Sequence, residues 1–209
     1  MSISTVEQET TFTASAQLLD EDGDALPGTT LVAMVLEVIE SRSGNVCRSK
    51  RSALNVNDVT VDAAGVLAWL GQAHDSQIVN TDTRLGSPEQ HVAKFEFAYG
   101  VPLAASGTDL VDTVLDDNTV TLTVTAHGLD GTDIDEEHVF LVVATDVGGL
   151  NLNGRFLITS VPTPDTLTIE HSCPATATET GGGAVSFWLN PRIGIERIRF
   201  PVRRNRADC

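Results

Sequence analysis

The sequence predicts an all-β protein in two parts, a β-sandwich and a small β-barrel-like module inserted before the sandwich's last strand. Three observations lead there. Apolar residues recur at period two in short runs separated by Gly, Pro, Asn and Asp, which is the pattern of half-buried strands joined by turns. The chain has 209 residues, 41% of them hydrophobic, but only one Tyr and two Trp, so short strands rich in Val and Thr carry the apolar content. An alternating apolar run at the C-terminal end also lacks a neighbouring strand in sequence, whereas the N-terminal part lacks its closing strand.

Taken in order, TFTASAQLL from Thr11 sets Phe12, Ala14, Ala16 and Leu18 on one face. The acidic connection DEDGDALPG follows from Asp20, and LVAMVLEVIE from Leu31 is apolar on both faces, as a central strand is. Its length also suits a buried helix, but the Val and Ile content favours a strand. From Asp58 to Gly71 the sequence reads as a hairpin, with Val59 and Val61 inward, a turn over Ala63 to Gly65, and Leu67 and Trp69 on the return. HDSQIVN from His74 suggests one helical turn. HVAKFEFAYG from His91 then alternates Ala93, Phe95, Phe97 and Tyr99 against Lys94 and Glu96. Strands of this length with turns about every ten residues suggest an immunoglobulin-like sandwich.

Such a sandwich, ending at Tyr99, lacks one strand. IGIERIRFPVRR from Ile193 supplies a candidate, with Ile198, Phe200 and Val202 on one face and Arg197, Arg199 and Arg203 on the other. The expected organisation is therefore a sandwich over 1–103 completed by 190–209, with an acidic β module over 104–189 inserted at the tip of a hairpin, where insertions are tolerated. Two domains in series with a loose tail is the alternative; the apolar alternation over 193–203 argues against it.

The module region carries four β patterns: TVTLTVTAHGL from Thr119, HVFLVVAT from His138, GGLNLNGRFLITSV from Gly148 and DTLTIEH from Asp165. Three of its pieces, TAHGL from Thr125, GLNLNGRF from Gly149 and PATATETGGG from Pro174 to Gly183, resemble a β module of bacteriophage virion proteins that is itself likened to the first catalytic-cysteine half-domain of ubiquitin-activating enzymes. In phages that module is structural, so the resemblance implies a piece of a virus particle and no ubiquitin chemistry; Cys173 is not implied to be a catalytic thiol. The first part is similar, in pattern, to immunoglobulin-like segments of phage head, neck and baseplate accessory proteins. The matching stretches are TASAQLLDEDGDALPG from Thr13, VTVDAAGVLAWL from Val59 and HVAKFEF from His91.

The formal net charge of −16 argues against nonspecific nucleic-acid binding, which needs Lys and Arg to displace counterions. From Ala104 to Phe187 there are 13 Asp or Glu against Arg155 alone, a local net of −12. Six of the thirteen basic residues (Arg192, Arg197, Arg199, Arg203, Arg204 and Arg206) fall in the last eighteen positions. These six are the candidate partner contact: an arginine fork pairs bidentately with carboxylates, and an acidic neighbour or the acidic module of another copy would suit it. The competing reading is a row of like charges guarding an edge strand. No run approaches the apolar length needed to span a bilayer, and the N-terminal stretch lacks a signal-peptide layout, so a soluble, cytoplasm-made chain without membrane contact is expected.

No constellation predicts catalysis. Asp20, Asp22 and Asp24 have the opening spacing of a calcium loop, but its twelfth position falls on Leu31, so a solvated turn is expected. Cys47, Cys173 and Cys209 form no CxxC pair and read as free thiols. His74, His91, His127, His138 and His171 are scattered, although His127 and His171 are placed where their rings would meet if the two strand ends converge. Asp130, Asp133, Asp135, Glu136 and Glu137 read as a solvated acidic loop. No phosphate-binding loop or nucleophile elbow is present.

The expectation is thus a protein that is not an enzyme, with no cofactor and no metal: a phage virion component made in the host cytoplasm. It is expected at the head or neck as a decoration, collar or fibre protein, contacting other virion proteins and acting as a homo-oligomer or on a lattice. The alternatives are a tail or baseplate adaptor that contacts a receptor, or a carbohydrate-binding β-sandwich. The scarcity of aromatic residues argues against the last.

Overall fold

The structure is a computed structural model that describes residues 6–79, 88–100, 103–131 and 137–203. It is all-β, and it divides into two compact units: residues 1–97 with 193–209, and residues 98–192.

The first unit is a sandwich of two sheets. One has the order β1 (Val6–Glu7), β16 (Arg192–Arg203), β7 (Glu89–Tyr99), β3 (Leu31–Glu40), β4 (Val46–Ser52). The other has the order β2 (Phe12–Gln17), β6 (Val66–Gly71), β5 (Val59–Val61). Period-two burial sets the pairing register. In the smaller sheet Ala14 lies opposite Trp69 and Ala16 opposite Leu67, so one apolar face turns inward. Rings from both sheets meet in the core: Trp69 packs edge-on against Phe95 at 5.7 Å and Phe200 at 5.8 Å, and Phe12 lies 4.7 Å from Phe200. Burying each such ring contributes about 1.5–3 kcal/mol. β3 is central, and Leu31, Ala33, Met34, Val35, Leu36 and Val38 are all buried on its two faces.

The β5–β6 hairpin pairs Val59 with Trp69 and Val61 with Leu67, although Val61 is only half-buried. Its turn requires Gly65, which has φ +79°; a Cβ there would stand 1.8 Å from the Leu26 carbonyl oxygen. The helical turn is a short 3-10 segment, Ala73–Ser76. β7 begins at Glu89, two residues before the expected strand start, which adds a carboxylate to it. In β16, Ile198, Phe200 and Val202 are buried while Arg197, Arg199 and Arg203 are exposed. β1 pairs parallel with its end, Val6 opposite Val202 and Glu7 opposite Arg203, so that end of the strand is not a bare edge.

The second unit is one curled sheet of eight strands: β8 (Leu103–Thr108), β9 (Val111–Thr113), β10 (Thr119–Thr123), β11 (His138–Val143), β12 (Gly154–Thr163), β13 (Thr166–Glu170), β14 (Glu179–Gly181) and β15 (Ala184–Leu189). Their order is β14-β9-β10-β13-β12-β11-β15-β8. β8 stands at one end of this order and β9 next to the other, yet the two are joined by only two residues, Asp109 and Leu110, so the sheet must curl until its ends nearly meet. The seam is held by bonds between Asp109 and Gly183, backbone to backbone at 2.9 Å and Gly183 N–H to the Asp109 carboxylate at 3.0 Å. Inside, Val120, Leu122, Val139, Leu141, Ile169, Val185 and Phe187 form a dry apolar core.

The pieces that carried the phage-module resemblance lie in this unit, at turns and strand ends. His127 accepts from the Leu129 amide at 3.1 Å and its Nε2 lies 3.0 Å from the Thr163 carbonyl. Gly148, the residue before the second piece, donates to Glu179 at 2.6 Å and accepts from Thr176 N at 2.7 Å, both in the third. Among the described residues no helix is long and apolar enough to cross a membrane.

Candidate functional site

The sandwich unit gathers ionisable side chains where a core is expected to exclude them. Glu89 and His91 are two apart on β7 and therefore share a face; both are buried. His91 Nε2 lies 2.7 Å from Glu89 Oε1 and 3.7 Å from the Cys47 sulfur on β4. One ligand atom from each of Cys47, Glu89 and His91 falls within 4.8 Å of the others.

A bulge aims the cysteine. Val38 pairs with Arg48 and Ile39 with Val46, so the ladder skips Cys47. Such a residue is released from the pleat and its side chain can be redirected, here toward a strand two places away in the sheet. His91 is held on its other sides by the Phe200 ring, 5.5 Å away, and by the Asp75 carbonyl, a long 3.4 Å from Nδ1. Glu89 Oε1 also accepts from the Val79 amide at 3.1 Å.

Two more carboxylates surround the group. Asp75 is fully buried; it accepts from Arg51 Nη2 and from the Gln72 amide, each at 2.9 Å. Glu40 accepts from the Arg42 amide at 2.8 Å and from the Ser43 amide and hydroxyl, each at 2.6 Å. Burial works to raise the Glu40 carboxyl, but those hydrogen bonds outweigh it and hold the group below its ordinary range. The Cys47 thiol is pushed up to about 12, first by burial and then by the negative charges of Glu89, Glu40 and Asp75. The group is therefore anionic in character, and the Arg51 guanidinium nearby is engaged with Asp75.

This arrangement is not a nucleophilic triad. In a triad the thiol and the orienting acid contact opposite nitrogens of the imidazole, whereas here both converge on Nε2. Two donors and one nitrogen facing a common point is instead the geometry of a shared proton or cation.

The residues singled out from sequence are placed elsewhere. Arg192, Arg197, Arg199 and Arg203 are exposed along β16, while Arg204 and Arg206 lie outside the described residues. His127 and His171 do not meet: His127 binds at the Thr163 end of the β12–β13 turn, while His171 leaves the opposite end of β13 and bonds Asn118. The antiparallel register, Thr119 opposite Glu170 and Thr123 opposite Thr166, keeps them apart by a strand length, about 13 Å at the usual rise. The Asp20 carboxylate caps its own turn through the Asp22 and Asp24 amides, at 3.0 and 2.9 Å. Of the acidic loop, Asp133, Asp135 and Glu136 lie outside the described residues; Asp130 is exposed and Glu137 accepts from the Asn190 side chain. Cys173 is exposed beside His171, whose Nδ1 accepts from the Cys173 amide at 3.1 Å, and Cys209 is also outside the described residues.

No family model matches the chain, and no curated protein matches it. Among solved structures it is similar to a phage phi92 endosialidase, at 12% identity and a TM-score of 0.35, covering 94% of this chain. The chain spans 36% of that protein's length. The neighbour is an enzyme by name, which overturns the expectation that this chain stands apart from enzymes. That expectation is withdrawn, and at this similarity no activity passes to the chain.

Proposed function

We propose that the chain is a component of a bacteriophage particle, attached through the sandwich unit and carrying the acidic barrel as a second, self-contained unit. The observation that carries this reading is that TAHGL, GLNLNGRF and PATATETGGG, the pieces resembling the phage virion module, all lie in the barrel unit, where the first bonds the β12–β13 turn and the third bonds Gly148, the residue before the second. The phage module that these pieces resemble is structural, and a structural role is what the resemblance implies here. Head or neck attachment is the preferred location, with other virion proteins as partners and a second copy or a lattice as the setting.

The exposed arginines of β16 are the proposed contact. Ion pairs excluded from water at an interface are worth more than the roughly 0–1 kcal/mol of exposed ones. Particles purified on a density gradient should contain the chain in fixed stoichiometry, and imaging of particles with and without it should show the missing density at the head or neck. Missing density at the tail tip would move it to a baseplate role, and absence from purified particles would overturn the reading. Changing Arg197, Arg199 and Arg203 together to Gln should reduce incorporation and its salt sensitivity, with both units still folded.

A further inference from the structure

We propose that Cys47, Glu89 and His91 form a binding site for one divalent ion of the zinc class, with solvent completing the coordination from the half-buried Cys47 side. Thiolate, imidazole and carboxylate together are a donor set that zinc accepts and that magnesium and calcium, which prefer oxygen alone, do not.

Four features of the pocket converge on this. The first is distance. A tetrahedral ion bound at about 2.3 Å to sulfur and about 2.0 Å to nitrogen sets those atoms about 3.5 Å apart, and Cys47 Sγ and His91 Nε2 are 3.7 Å apart. The Nε2–Oε1 pair, at 2.7 Å, would open by roughly half an ångström to admit the ion. The second is the bulge, which takes Cys47 out of the β3–β4 ladder and turns its sulfur to the imidazole.

The third is the support around the ligands. His91 Nδ1 faces a backbone carbonyl, the arrangement that leaves Nε2 as the ligating atom, and the Val79 amide fixes Glu89. The fourth is charge. The negative charges of Glu89, Glu40 and Asp75 all act on the thiol, a field that favours a cation at this point. The ion would convert the thiol to thiolate as it binds, releasing the proton to solvent.

The site owes nothing to the virion assignment and stands or falls by itself. The test uses the full chain with Cys173 and Cys209 changed to Ser, stripped with chelator and titrated with Zn(II), and with Co(II) as a spectroscopic reporter. One equivalent should bind, a thiolate-to-cobalt charge-transfer band should appear, and the melting midpoint should rise with zinc concentration. Cys47→Ser should abolish the band and weaken zinc binding at least about tenfold, while its metal-free melting midpoint and circular dichroism match the parent. Glu89→Gln should weaken binding but retain the band, which separates loss of a ligand from loss of the fold. Failure to take up one equivalent, uptake without the band, or uptake indifferent to Cys47→Ser would each overturn the proposal.

Discussion

Between Ala104 and Phe187 the barrel unit carries 13 Asp or Glu against one Arg, yet none of its described carboxylates is buried; its buried polar residues are Thr113, His127, Asn153 and Thr168. The sandwich unit is nearer to charge balance and buries Glu40, Asp75, Glu89 and Glu96 together with His91. A solvated carboxylate reports little beyond net charge. A buried one needs partners, and the partners reveal what chemistry the position permits. The acidic stretch that dominates the sequence is thus the chemically quiet half, and the site lies in the half that looked like plain scaffold.

The strongest way to break this comparison is to separate the units. β16 brings Ile198, Phe200 and Val202 into the sandwich core, and no other described strand lies between β1 and β7. A stop after Arg192 should abolish the sandwich's cooperative melting, whereas replacing 105–188 by a short Gly/Ser linker should leave it folded. A sandwich that survives the stop codon would show that β16 does not complete it, and one that is lost with the barrel would show that the two units do not fold independently.

Next in size are core truncations read against both melting transitions. Phe200→Ala removes a ring packed on Phe12, Trp69 and His91, and Phe187→Ala removes a fully buried ring of the barrel. Each should cost about 3–5 kcal/mol in its own unit and leave the other transition in place. Calorimetry that shows both transitions shifting together would join the two cores into one.

The smaller stability effect is pH-dependent. The folded-state pKa of Glu40 is depressed, so its contribution is fully present above the ordinary glutamate range and is lost as pH falls through the lowered value. Glu40→Gln should cost about 1–2 kcal/mol at neutral pH and flatten the acid limb of the sandwich transition. An unchanged acid limb in that variant would show that the Ser43 and Arg42 bonds do not hold the charge.

The strands were readable because burial imposed a period: the alternations from Thr11 and from Ile193 each became a strand and that from Asp58 a hairpin, with the expected face inward except at half-buried Val61. The site was not readable, for two physical reasons. Cys47 is far in sequence from Glu89 and His91, and it reaches them only because a bulge breaks the register that pattern reading assumes. Glu89 was passed over because a charged residue at a strand's first position looks like the end of a loop. The available signal was Glu-x-His at alternate positions at the start of a strand that goes on to bury Val92, Ala93, Phe95 and Phe97, which places two ionisable groups on one face of a buried strand. The pairing of His127 with His171 failed for the opposite reason: sequence gives each residue a strand end, but only the register says which end.

The last prediction leaves both transitions where they are and asks only about reactivity. An ordinary cysteine, with pKa near 8.5, is about one-quarter thiolate at pH 8. With its thiol pushed up to about 12, Cys47 is thiolate in only about one molecule in ten thousand at that pH. Because the thiolate is the nucleophile, iodoacetamide should modify Cys47 in the chelator-treated chain roughly a thousandfold more slowly than a free cysteine, followed peptide by peptide with mass spectrometry. Glu89→Gln removes one of the negative charges that raise the thiol, so it should speed alkylation of Cys47 while the rate at exposed Cys173 stays the same. Equal rates at Cys47 in the parent and in Glu89→Gln would show that Glu89 does not act on the thiol. The contrast between a quiet acidic surface and a buried acid pocket would then lose its chemical content.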